Sequence, residues 1–356
     1  MNNIYEFLME NGSISTRYRT LTELYESDDI NLVKQLEDEL VDHKETVKRL
    51  LLLQSDIRSH DFVGVHGATN EHLENSLFFI LELGLNRKFS VVDEILQPKI
   101  KKILDNKYEQ SFVFYMFIDI IIFPLLYKAG YRNDWLIKFY KDRINILYQF
   151  TLKKDYNIYA DRQEYKGIPK IWEKFKLVKP ELCEGGNFKY PLIYDIVALA
   201  KIITDCDKET EDKIETIINY ILSDEYHSLI DDAYGIIVRN LDDKKNKRYL
   251  RMGWDAKVPG YFGEKIDQTQ ESRLLGKLEL MAHFNTSINS IWFKNWMTHL
   301  ESFKTDKGTY IFPDIFLKTK IGSLLGENKR KKQWREVEST FRIMKIKKVI
   351  CETNKR

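Results

Sequence analysis

The stretch Phe112–Tyr127, FVFYMFIDIIIFPLLY, decides the fold. Sixteen residues are interrupted only by Asp119 and Pro124. A helix that is apolar all round leaves no face for water, so other elements must enclose it. It is shorter than the roughly 20 residues that a bilayer span requires. The segment therefore reads as an inner, buried helix and not as a membrane anchor.

Working outward, the apolar segment is followed by KAGYRN, by a second helical run, DWLIKFYKDRINILYQF (Asp134–Phe150), and by KKDYNIY. The pattern returns twice. Tyr194–Ile203 (YDIVALAKII) leads through TDCDKETED to KIETIINYILSDEYHSLI and DDAYGII. Ser272–Phe284 (SRLLGKLELMAHF) leads through NTS to INSIWFKNWMTHLESF and DKGTYIF. Tyr156, Tyr234 and Tyr310 mark equivalent tips, 78 and 76 residues apart. An earlier unit pairs Glu71–Leu83, stopped by Gly84, with a helix from Ser90 to Leu104, because glycine is the natural residue just past a helix end. A helix near Tyr18–Tyr25 and one at Glu338–Lys348 bracket the chain. Helical hairpins bury their faces only against neighbours, in an open solenoid or a closed ring. The links Asp155–Pro191, Arg239–Glu271 and Pro313–Val337 are long, irregular and rich in Tyr, Trp, Gly and Pro, and loops of that kind serve function more than connection. The expectation is an all-α protein, one α/α toroid of hairpins over residues 1–356, with long rim loops.

Composition narrows the function. Seven Pro and 16 Gly in 356 residues suit long helices better than a turn-rich β protein. A net charge of +2 argues against nucleic acid, although Lys318–Arg356 holds 13 Lys/Arg against four Glu, which reads as a solvated basic face. Three scattered cysteines, Cys183, Cys206 and Cys351, supply neither a disulfide framework nor zinc-ligand spacing, and no cofactor motif occurs. The N-terminal MNNIYEFLMENGS lacks the basic start and apolar core of a secretory signal, which predicts a cytoplasmic protein.

YRTLTEL (Tyr18–Leu24), VHGATNEHLENSLFFILELGL (Val65–Leu85), FKYPLIYDIVALAKI (Phe188–Ile202), RMGWDAKVPGY (Arg251–Tyr261) and GTYIFPDIFL followed by ESTFRIMKI resemble α/α-toroid proteins of the terpenoid cyclase and protein prenyltransferase superfamily, closest to functionally unassigned bacterial members. The resemblance implies a toroid with a central, aromatic-lined pocket. The chain departs from the chemistry of that superfamily: it has no DxDD, no Gln/Trp repeat signature, no DxC zinc pair and no DDxxD.

In a toroid, loop residues and free backbone N–H groups meet where inner helices begin. The entries carry Arg17, Tyr18 and Arg19; His66, Glu71, His72 and Glu74; Tyr190, Tyr194 and Asp195; and Glu338 with Arg342. His66 is the foremost acid/base candidate, since imidazole titrates near neutrality. Glu74 would orient it or carry a second proton. Asp195 reads as an N-cap or as a carboxylate aimed at the mouth, and Glu338 as the last member of a convergent set of His66, Glu74, Asp195 and Glu338. Arg19, Tyr190, Tyr194, Trp254, Asp255 and Tyr261 are candidates for binding a substrate, the aromatic ones by stacking. Three functions stay open: an enzyme or binding protein for an apolar or mixed small molecule, a carbohydrate-active (α/α)₆ hydrolase or lyase, and a helical-repeat interaction scaffold.

Overall fold

The computed structural model describes residues 2–55, 65–67, 71–105, 112–161, 163, 170–172, 175–183, 188–229, 255–263, 268–317 and 326–356. Tyr234 and Trp254 lie outside them. In chain order the helices are α1 (Asn2–Asn11), α2 (Ile14–Arg19), α3 (Ile30–Asp42), α4 (Lys44–Gln54), α5 (Leu73–Glu82), α6 (Ser90–Asp105), α7 (Phe112–Lys128) and α8 (Asp134–Leu152). There follow α9 (Ile193–Ile202), α10 (Lys208–Ile221), α11 (Asp224–Leu229), α12 (Gln268–Met281), α13 (Asn285–Asn289), α14 (Ile291–Glu301), α15 (Asp314–Leu317) and α16 (Trp334–Thr353). Among the described residues extended pairing is limited to the isolated bridges Tyr159–Val178, Leu192–Asp255 and Lys304–Tyr310. The protein is all-α. Its contacts divide it into two compact units, Met1–Ser59 with Val63–Lys99 and Val258–Arg356, and His60–Phe62 with Ile100–Lys257.

In the second unit α7 packs along α9, and α8 packs along α10. First helices of successive hairpins meet each other, and second helices do the same, which is how stacked hairpins share a core. The side chains of Ile120–Phe123 and Leu125–Tyr127 are all buried, as the unbroken apolar pattern requires. Gly130, at φ 95°, ends α7 with two bonds, Tyr131 N–H to Leu126 O and Gly130 N–H to Tyr127 O. Gly84, at φ 97°, ends α5 in the same way through Leu85 N–H to Ile80 O and Gly84 N–H to Leu81 O. Both are glycine caps in the left-handed region, which side chains disfavour.

In the first unit the last helix packs against the first. Val337 and Phe341 of α16 form one buried cluster with Leu8 of α1, covered by Ile4, Phe7 and Leu24. Burying side chains of this size contributes about 1.5–3 kcal/mol each. α16 also packs on α12 and α15, while α4 packs on α5. Glu327 reaches back across the sequence to accept from Ser13 N–H at 2.8 Å and from the Thr16 hydroxyl at 2.5 Å, capping the start of α2.

Two runs that read as single helices are broken. Ser290 separates α13 from α14, its hydroxyl accepting the Phe293 N–H at 3.2 Å, and Ser223 caps α11 through Tyr226 N–H at 3.2 Å. The helix expected near Tyr18–Tyr25 begins as α2 and continues as a five-residue π-helix, Thr20–Leu24. π-turns are rare and frequent at functional sites.

Candidate active site

The loop before α5 is clamped onto that helix. Val65 is fully buried and anchors it. His66 Nδ1 lies 2.5 Å from Glu74 Oε2, and Asn75 Nδ2 donates to Gly67 O at 2.8 Å. A Cβ on Gly67 would stand 2.2 Å from His72 Nε2, so a side chain there would have to push that ring aside. Glu74 sits in the first turn of α5, where the helix dipole favours a carboxylate. An ionised carboxylate only accepts, so with Glu74 ionised the contact is a hydrogen bond donated by His66 Nδ1. The side chains keep 29% and 15% of their surface accessible. A carboxylate hydrogen-bonded to one ring nitrogen orients an imidazole.

At the other end of α5 a chain of charges joins four segments of the same unit. Arg19 of α2 grips Glu23 of the π-turn with two bonds, 2.7 and 2.9 Å, and donates to the Glu82 carbonyl at 2.5 Å. Arg342 of α16 reaches Glu82 Oε2 at 3.1 Å and Glu279 Oε2 of α12 at 3.3 Å. Lys345, one turn further along α16, closes the chain to Glu279 at 2.7 Å and Glu23 at 3.1 Å. Burial alone would raise the Glu23 pKa, but Arg19 and Lys345 outweigh it and hold the carboxyl well below its usual range. Burial and Arg19 both pull Lys345 down, yet Glu23 and Glu279 leave its pKa raised. Gly84 permits the crossing, since a Cβ there would meet Arg19 Cγ at 2.8 Å.

Asp195 belongs to the second unit. The helix starts at Ile193, so Asp195 is its third residue and not its N-cap; its Oδ2 accepts the Leu192 N–H at 2.8 Å. Arg143 of α8 holds both carboxylate oxygens, at 2.8 and 2.7 Å, and donates to the Phe188 and Tyr190 carbonyls. Tyr190 is fully buried, its hydroxyl 3.7 Å from Cys183 Sγ, and Tyr194 is half-buried. Asp255 accepts from Lys257 N–H, and Tyr261 packs edge-on against Phe262. Glu338 lies inside α16, a turn past its start, and is 1% exposed. His66 and Glu74 are thus joined directly. Glu338 shares their unit, and Asp195 is held within the other.

Sequence reasoning singled out Arg19 and Arg342 but missed Glu23, Glu82, Glu279, Lys345 and Arg143. One signal was present: Glu82 and Glu279 each stand in a Leu-Glu-Leu triplet near the end of an apolar helix. A lone carboxylate in such a run needs a buried cation. Among the described residues no three His, Cys, Asp or Glu side chains are grouped to hold a metal ion, and no helix is long and apolar enough to cross a membrane. Comparison with known proteins finds no matching family, curated protein or solved structure.

Proposed function

We propose that this protein is an enzyme that moves a proton on a small molecule, with His66 as the reacting base and Glu74 as the group that orients it. One observation carries the reading, the 2.5 Å contact between His66 Nδ1 and Glu74 Oε2 at a partly accessible loop clamped to a helix start. An imidazole fixed in this way presents Nε2 at a constant position and becomes a better base through its carboxylate partner. Arg143 occupies Asp195, so in this reading Asp195 is an architectural residue and takes no part in the chemistry.

The hairpins, in the same proposal, close into an α/α toroid of the terpenoid-cyclase type. Support comes from the first-on-first and second-on-second helix packing of the second unit and from the seating of α16 on α1 in the first. A closed ring of this length has a radius of gyration of about 20 Å in solution scattering. An open solenoid would be clearly larger.

The functional test is a turnover screen. Wild-type protein and His66→Ala are each incubated with a small-molecule extract, and mass spectrometry records what is consumed. The expected result is at least one compound consumed by the wild type and spared by the variant, with Glu74→Ala slowed by roughly 10²-fold or more. Equal consumption by wild type and a folded His66→Ala variant overturns the assignment.

A further inference from the structure

A single contact between Glu74 and His66 does not fix an imidazole in space. Both side chains rotate about several bonds, so one link between their tips leaves the ring free to swing with its loop. What keeps Nε2 at one position is whatever holds the main chain on either side of His66.

On one side that chain is held by burial, since Val65 is fully enclosed. On the other it is held by a hydrogen bond. Asn75, the residue after Glu74, donates from Nδ2 to the carbonyl of Gly67, the residue after His66, at 2.8 Å. The two links run in step, Glu74 to His66 and Asn75 to Gly67, each spanning eight residues. Their anchors are neighbours in the first turn of α5, between the buried Leu73 and the buried Ser76 and Leu77. Links at successive residues remove the pivot that one link leaves. The chemistry of Asn75 suits this place. An amide donates without carrying charge, so it holds a carbonyl without competing with Glu74 for the imidazole proton. An ionised carboxylate at position 75 would have no proton to give, and a cation there would draw Glu74 to itself.

We infer that Asn75 is a positioning residue of this site: through the Gly67 carbonyl it fixes where His66 stands, and so where Nε2 meets a substrate. This rests on the reading of His66 as the reacting base, and it adds the residue that sets the aim of that base. Asn75 acts through main chain, so its removal lowers kcat and leaves KM unchanged. A misplacement of about 1 Å is enough to slow a reaction by roughly 10²-fold.

Two variants test the role. Asn75→Leu is close to asparagine in shape but has no donor, and Asn75→Gln keeps the amide one methylene further out. Long-range ¹H–¹⁵N NMR reads the His66 ring in each, and kcat and KM are measured on a compound that the turnover screen identifies. The ring signals need no substrate, so they decide the matter by themselves if no compound is found. The expected result for Asn75→Leu is loss of the Nδ1 preference of His66 although Glu74 is intact, with kcat lowered between about tenfold and 10²-fold. Asn75→Gln should restore a large part of both. A residue that merely stiffens the loop would lower the melting temperature and leave the His66 signals and kcat unmoved, and that outcome overturns the inference. A glutamine variant as impaired as the leucine variant overturns it too. If Asn75→Leu does not fold, the wild-type protein decides. One side-chain N–H of Asn75 should exchange with solvent about fivefold more slowly than those of the exposed Asn295, the size of one hydrogen bond, and equal exchange overturns the role. Turnover unaffected by His66→Ala would remove the base reading and leave the hold of Asn75 on the ring standing. Unchanged ring signals in Asn75→Leu, with His66→Ala inactive, would remove the role of Asn75 alone.

Discussion

Two buried ionic clusters among the described residues are built differently. Arg143 and Asp195 make a closed pair: both carboxylate oxygens are taken, the guanidinium also binds two carbonyls, and each side chain is 6% exposed. The cluster of Arg19, Glu23, Glu82, Glu279, Arg342 and Lys345 is an open chain, in which Glu23 and Glu279 are each shared by two cations and Arg342 Nη2 has no hydrogen-bond partner among the described residues. A closed pair fixes one backbone geometry, here the entry into α9. In an open chain the loss of one contact leaves most members another.

The sharpest way to break this contrast is to cut the closed pair. Arg143→Leu leaves a buried carboxylate without its cation and two carbonyls without the guanidinium donor, and should cost about 3–5 kcal/mol in urea unfolding. Arg143→Leu combined with Asp195→Leu should recover most of that loss, since an apolar pair can replace a buried ionic one. If the single and double variants are equally unstable, the pair is not the closed unit described.

The open chain should be more forgiving. Lys345→Met leaves Glu23 with Arg19 and Glu279 with Arg342, so the expected loss is about 1–2 kcal/mol, that of hydrogen bonds between charged groups. A loss as large as that of Arg143→Leu would merge the two clusters into one class. Proton linkage gives the smallest effect and a definite sign. The folded pKa of Glu23 is depressed, so its contribution is complete above its unfolded value of about 4.3 and disappears as pH falls below it. The Lys345 pKa is raised, so its contribution is complete below about 10.4 and is lost above that pH. The gap in melting temperature between wild type and Glu23→Gln should be constant near neutrality and narrow below about pH 4. A gap that widens in acid would contradict the assignment of the shift to Arg19 and Lys345.

These contrasts also explain what could be read from the chain in advance. The helices of the second unit, the enclosure of α7 and the glycine cap at Gly84 follow from local physics, namely apolar continuity and one residue that adopts positive φ. The breaks at Ser223 and Ser290 escaped because the apolar rhythm continues across them, although a serine three residues before a freed N–H was a visible cap signal. α1, α3 and α4 were passed over because no recurring tip marks them. His66 and Glu74 were within reach, being eight residues apart on a loop and the helix it enters. The charged chain was not, since the Glu82–Arg342 bond joins residues 260 positions apart and no periodicity encodes which cation meets which carboxylate. The same holds for Arg143, which looked like one more basic residue on an amphipathic helix.

The claim on which the account depends is that Glu74 holds His66 with its proton on Nδ1 and its lone pair on Nε2. Long-range ¹H–¹⁵N NMR of the histidine rings at neutral pH, with His66→Gln used to assign the signals, reads this directly. The account predicts that the His66 ring carries its proton on Nδ1 and that this preference disappears in Glu74→Ala. A His66 ring protonated on Nε2, or one whose tautomer is unchanged in Glu74→Ala, would contradict it.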